Sequence, residues 1–239
     1  MKELLANKYA KIGIIAVVII VVGSLIFFFT RSTGTGVGKT SSAKSQKEMK
    51  SPFAKGAEEH FAKGHEYLKA RKLDEALKEF DETAKLSPKT PVIYYWLGVV
   101  YFSKKDPENA IVNFKKVLEL EPKNYHAIGM IGKILSFDKN KLDEAIDQLN
   151  AALAINPDFA EAHFDLGRIY ALKGDTSRAM AEFGVILRSE PQYAIYHFEL
   201  GRIFESMKAL DRAKNEYKRA LQLNPNMTVA SEALKKLEK

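Results

Sequence analysis

The side chains best placed to do chemistry in this 239-residue chain recur beside five glycines: Gly64, Gly98, Gly132, Gly167 and Gly201. One residue after them stand His65, Val99, Lys133, Arg168 and Arg202. Three residues before them stand Phe61, Tyr95, Gly129, Phe164 and Phe198. Val92 and Ile195 lie six residues before a glycine, and Phe102 lies four after one. Positions i, i+3, i+7 and i+10 share one helical face, so on helices these residues set an aromatic row beside a basic row, Lys133, Arg168 and Arg202, in the last three repeats. That chemistry is recognition of apolar and acidic groups, not bond breaking.

The groups that break bonds are absent or misplaced. The chain has no cysteine, which excludes a thiol nucleophile, a disulfide framework and a cysteine zinc site. His65-Glu66 begins a zinc-helix pattern, but Lys69 stands where the second histidine is required. His60, His163 and His197 each lie four residues before a glycine and read as half-buried packing groups. The pairs Glu58-Glu59 and Asp74-Glu75 read as helix surface. Gly36-Val37-Gly38-Lys39-Thr40 looks like the end of a phosphate-binding loop, but Thr33 stands where its first glycine belongs. No strand precedes it to aim backbone N–H groups at a phosphate. No enzyme, metal, cofactor or nucleotide is expected.

The elements that position the two rows follow from three more columns. The glycines are spaced by 34, 34, 35 and 34 residues. Ala76, Ala110, Ala145, Ala179 and Ala213 keep the same period, as do Pro88, Pro122, Pro157, Pro191 and Pro225. The one extra residue falls between Gly132 and Ala145, in or near Phe137-Asp138-Lys139-Asn140-Lys141. Four residues after each alanine come Phe80, Phe114, Leu149, Phe183 and Tyr217. Small residues on two successive helices, with large apolar ones a turn away, describe a closely packed helical hairpin. Thr90-Pro91 and Asp106-Pro107 each place a capping residue before a proline at the first helical position. Each unit ends at its proline. A period in this range means stacked supersecondary units.

Residues 57–227 therefore resemble tetratricopeptide repeats. Trp96-Leu97-Gly98 followed by Tyr101, Leu166-Gly167 followed by Tyr170, and Leu200-Gly201 followed by Phe204 carry the likeness, with the alanine, aromatic and proline columns behind them. The first repeat departs most, with Lys63 in place of leucine, and Gly129 leaves a gap in the aromatic row. The resemblance implies an all-α solenoid of five helical hairpins, at about 57–90, 91–124, 125–159, 160–193 and 194–227, within a domain 51–239. Ser51-Pro52-Phe53 would start the first helix, with Phe53 on its apolar stripe. Residues 228–239 would form a cap helix with Val229, Ala230, Ala233, Leu234 and Leu237 on its inner face.

The resemblance also implies a concave groove lined by the first helix of each repeat. Phe61, His65, Val92, Tyr95, Val99, Phe102, Lys133, Phe164, Arg168, Ile195, Phe198 and Arg202 would line it. Its partner would be a protein or peptide with apolar anchors and acidic groups. The clamp with which some members hold chaperone tails needs Lys and Asn where this chain has Phe61 and His65, which speaks against that ligand.

Charge places the rest. Of the net +7, six units lie in residues 1–50, which hold eight Lys and Arg against two Glu. The repeat region is nearly neutral, and a nucleic-acid partner loses its main support. After a short basic tail, 1–11, Ile12 to Phe29 runs eighteen residues without a charge, fourteen of them Ile, Val, Leu or Phe. That is ~27 Å of helix, and insertion gains roughly 4–8 kcal/mol. The run ends in bulky Phe27-Phe28-Phe29, so an uncleaved anchor is expected rather than a signal peptide. Residues 30–50, rich in Ser, Thr, Gly and Lys, read as a flexible linker. The whole reads as a single-pass membrane protein of an inner membrane, its repeats outside the cytoplasm, acting as a non-enzymatic adaptor in envelope assembly or secretion. A membrane-anchored chaperone for unfolded segments is the competing expectation.

Overall fold

The computed structural model describes residues 53–189 and 192–238. The expected anchor, linker and phosphate-loop-like sequence, and Ser51-Pro52, lie outside the described residues. Among those described, no helix is long and apolar enough to cross a membrane.

Eleven α-helices and no strand make up the described residues. They are α1 Ala57–Lys69, α2 Leu73–Leu86, α3 Pro91–Ser103, α4 Pro107–Leu120, α5 Tyr125–Leu135, α6 Leu142–Ile155, α7 Ala160–Leu172, α8 Thr176–Ser189, α9 Ala194–Ser206, α10 Leu210–Leu223 and α11 Thr228–Leu237. Five hairpins form in order, α1–α2 through α9–α10, and the second helix of each packs on the first helix of the next. First helices of adjacent hairpins also touch, α5 with α7 and α7 with α9.

The sequence columns meet each other inside the hairpins. All five column alanines are fully buried, and so are Phe80, Phe114, Phe183 and Tyr217. Each glycine seats one of these large side chains. A Cβ on Gly64 would stand 2.7 Å from Phe80, on Gly98 2.8 Å from Phe114, and on Gly132 2.8 Å from Leu149. On Gly167 it would stand 2.6 Å from Phe183, and on Gly201 2.5 Å from Tyr217. The glycine thus removes the one carbon that would hold the two helices apart.

The turns inside the hairpins share a backbone device. Seven residues after the glycine, Arg71, Lys105, Gly174 and Lys208 take the left-handed conformation, with φ of 58°, 62°, 78° and 60°. The third hairpin carries the inserted residue in this turn. There a 3-10 turn, Lys139–Lys141, replaces the left-handed residue, and Asp138 accepts the Asn140 N–H at 2.9 Å. Asp106 caps α4 as expected, accepting the Asn109 N–H at 3.0 Å, whereas the Thr90 side chain makes no cap bond at the start of α3; Asn124 caps α5, accepting the Ala127 N–H at 3.0 Å.

The ends differ from expectation in detail. α1 begins at Ala57, after Gly56 at φ 88°, so Phe53 lies outside the helix and packs on Phe61 from the preceding segment, ring centres 4.6 Å apart. The Ala54 N–H donates to Ser87 Oγ at 2.7 Å and ties that segment to the end of α2. On α11, Ala230 is fully buried, and Ala233, Leu234 and Leu237 cover Phe204, Ala213 and Tyr217. Val229 is 48% exposed and stands off that stripe, because the helix is anchored through Ala230 one step round its axis.

Candidate functional site

The first-helix face carries a half-buried aromatic row. Phe61, Tyr95, Phe164 and Phe198 are neither sealed nor free. Each leans on the large residue that its own hairpin seats on glycine: Phe61 on Phe80 at 5.6 Å, Tyr95 on Phe114 at 5.4 Å, Phe164 on Phe183 at 5.8 Å and Phe198 on Tyr217 at 5.7 Å. Most of these contacts are edge-on, the geometry that aromatic quadrupoles favour. The row is therefore braced from behind and presents one side to the groove.

The gap at Gly129 is closed from the segment that joins α6 to α7. Phe159, which precedes α7, lies where a Cβ on Gly129 would be 2.6 Å from its ring. Phe159 is 8% exposed and packs against Tyr125 at 5.1 Å. A buried ring outside the glycine columns thus fills the place that Gly129 leaves.

The basic row is not a row of free cations. Burial pushes the His65 pKa down to about 4, so His65 is a neutral aromatic at pH 7. It packs edge-on to Trp96 at 4.3 Å and to Phe61 at 4.6 Å. Trp96 stands two residues before Gly98, and this defines a seam. The residue two before one glycine faces the residue one after the preceding glycine. Val99 and Met130 follow the same relation in a shared apolar cluster. In the fourth repeat the seam residue is Asp165, whose carboxyl feels Lys133 across the seam and Arg168 on its own helix. In the fifth it is Glu199, which accepts from Arg202 Nη1 at 3.0 Å. Arg168 is half-exposed with its guanidinium 5.8 Å from the Phe164 ring. The three cations thus alternate with carboxylates, and Glu161 adds another on the same face. Its charge supports the burial that pushes the Tyr95 hydroxyl up to about 12.

The apolar flank is wider than the spacing suggests. Val92 and Val99 are half-buried and Ile195 is 38% exposed. Phe102 packs on Phe137 at 5.9 Å, and Phe137, in the inserted turn, is 63% exposed. The seam position is a column that could have been read from the glycines. Phe159 and Phe137 had no such signal, since they act out of register.

The histidines four before a glycine do more than pack. His60, His163 and His197 bond Glu79, Glu182 and Glu216 through Nδ1 at 2.7, 2.6 and 2.7 Å, joining the two helices of a hairpin. His163 Nε2 also meets the Pro157 carbonyl at 2.9 Å, so both ring nitrogens face acceptors. The bond to Glu182 first, and the carbonyl with it, raise the His163 pKa. Among the described residues no group of three His, Asp or Glu is placed to hold a metal. A pocket of about 300 Å³ lined by Asp158, His163, Val185, Ile186, Arg188 and Ser189 includes none of the groove residues.

Comparison with known proteins agrees with this architecture. Models of the tetratricopeptide repeat match residues 64–105 and 135–174, residues 91–124 and residues 194–227. Anaphase-promoting complex subunit 3 of Schizosaccharomyces pombe is 29% identical over 122 residues, 51% of this chain and 18% of its own. The Hsp70-Hsp90 organising protein of Plasmodium falciparum is 26% identical over 170 residues, 58% of this chain and 30% of its own. The chain thus spans less than a third of the length of these relatives. The crystal structure of PilW, a type IV pilus biogenesis factor, shares the fold with a TM-score of 0.67 at 19% identity, covering 77% of this chain and 91% of that one. From the repeat columns, the seated glycines and these matches together, the chain belongs to the tetratricopeptide-repeat family.

Proposed function

We propose that this chain is a membrane-anchored adaptor that holds an extended segment of a protein partner in the groove of its first helices. The observation that carries this reading is the aromatic row. Phe61, Tyr95, Phe164 and Phe198 are braced from behind yet only half-buried, which is how a surface offers apolar anchoring sites without collapsing. Lys133, Arg168 and Arg202 add positive charge on the same face, with Asp165 and Glu199 between them, so the partner segment carries polar groups of both kinds. The absence of a catalytic constellation from the sequence favours an adaptor over an enzyme. Phe61 and His65, here packed against each other, leave no cationic clamp at the first repeat for a chaperone tail.

The membrane part of the proposal rests on the uncharged run Ile12–Phe29. The three lysines before it favour an inside N-terminus and a repeat domain outside the cytoplasm, in an envelope-assembly or secretion role.

A photo-crosslinking amino acid at Tyr95 or Phe164 tests the groove in the full-length chain. Discrete adducts from these positions are expected, and none from Val112, which is 62% exposed on the second helix α4. Equal crosslinking from all three positions would move the partner site off the groove. Carbonate-resistant membrane association that survives deletion of residues 12–29 would remove the anchor. Digestion of the repeats by protease only after cell lysis would reverse the orientation.

A further inference from the structure

Asp165 is 4% exposed, and among the described residues no hydrogen-bond donor reaches its carboxylate. Every side-chain polar atom sealed from solvent has a partner among those residues. Having none, the Asp165 oxygens must carry the little surface this residue keeps. They lie within the fields of Lys133 on α5 across the seam and of Arg168 and Glu161 on their own helix α7. Glu199 solves the same position differently, bonding Arg202 three residues on. Asp165, one methylene shorter and in the same relation to Arg168, makes no such bond. A carboxylate is an acceptor only, and burying it without a donor costs free energy. Burial accordingly pushes its pKa up to about 6 in spite of the two cations. The fold does not require an acid here, since the second and third repeats fill the seam with Trp96 and Met130.

We propose that Asp165 and Arg168 together recognise a carboxamide, an Asn or Gln side chain of the segment bound in the groove. This rests on the groove reading above and names the group that the groove selects. A cationic donor would satisfy Asp165 but be repelled by Lys133 and Arg168. A carboxylate would satisfy the cations and be repelled by Asp165 and Glu161. A carboxamide carries an N–H donor and a C=O acceptor on one small planar group, so it bonds the acid and a cation at once with no net charge. A main-chain amide of an extended segment points its N–H and C=O in opposite directions and fits the pair less well.

The test selects peptides from a random twelve-residue display library on the immobilised full-length chain, then measures affinities of the selected peptides. Expected are peptides with Asn or Gln at a constant distance from an apolar residue. Replacing that residue by Asp or Leu should weaken binding by about tenfold. Asp165→Asn should weaken the parent peptide by a similar factor while raising the melting temperature of the free protein. The Asn→Asp peptide should bind Asp165→Asn better than it binds wild type, a rescue that a purely structural role of Asp165 would not produce. Peptides that lose affinity on Phe164→Ala and Phe198→Ala but are indifferent to Asp165→Asn would overturn the carboxamide proposal and leave the groove standing. So would groove-dependent peptides with no Asn or Gln preference. Failure to recover any peptide sensitive to Phe164→Ala and Phe198→Ala would remove the groove reading and this proposal with it.

Discussion

Replacing Gly98 by alanine tests whether the glycine column is a packing seat. On an open helix surface this change is stabilising by about 0.5–1 kcal/mol, because alanine loses less backbone entropy. At Gly98 the new Cβ would stand 2.8, 2.9 and 3.0 Å from three ring atoms of Phe114. Ordinary carbon contacts lie near 3.5–4.0 Å, so ring and helix must separate by roughly 0.7–1 Å. Phe114 is fully buried beside the equally buried Ala110, so the ring has nowhere to turn. Overpacking of this kind costs about 1–3 kcal/mol, and the propensity gain offsets part of it. The net expectation is a loss of about 1–2 kcal/mol, or about 2–8 °C in melting temperature at this size. Gly184 supplies the control, since a Cβ there meets only the tip of Arg188 at 3.6 Å. Gly184→Ala should raise stability while Gly98→Ala lowers it, as read by thermal and urea melts. In a Phe114→Ala background the cost of Gly98→Ala should largely vanish, because the clashing ring is gone. If Gly98→Ala stabilises like Gly184→Ala, or costs the same without the Phe114 ring, the hairpins are not held by seated glycines.

Asp165 should make stability rise as pH falls. Its carboxyl moves from the usual 3.8 to about 6 in the folded state, so folding prefers the protonated form. The stabilisation is complete below pH ~4 and lost as pH rises through ~6, about 3 kcal/mol at neutral pH by linkage; in melts at pH 7.5 and pH 4, Asp165→Asn should raise the melting temperature only at the higher pH. His163 contributes in the same direction, because its pKa is raised by Glu182 and the Pro157 carbonyl. That contribution is present below pH ~6.5 and lost as pH rises through the raised value, and His163→Gln should remove it in melts across pH 5–8. Lys105→Gly should stabilise by about 0.5–1 kcal/mol in urea titration, since Lys105 sits at φ 62° where the fourth repeat already uses Gly174.

The hairpins were legible in the residues because their contacts recur within one period. Gly98, Ala110 and Phe114 meet inside one hairpin, and the same three positions meet in every other, so five copies amplify a local rule into a visible column. The inserted residue was legible for the same reason, as a break in register between Gly132 and Ala145. The aromatic row could be placed on a helix face, since 3.6 residues per turn determine which side chains share it. What the face presents depended on how one repeat is set against the next, and no single helix carries that information. That setting put the His65 ring against Trp96 and brought Phe159 over Gly129. It also placed Asp165 opposite Lys133, so the basic row became a balanced one. The bonds from His60, His163 and His197 to acids nineteen residues away depended likewise on the crossing of two helices. Spacing along a chain specifies direction from a helix axis. Charge state and partner follow from distance and burial between helices, which only the packed structure supplies.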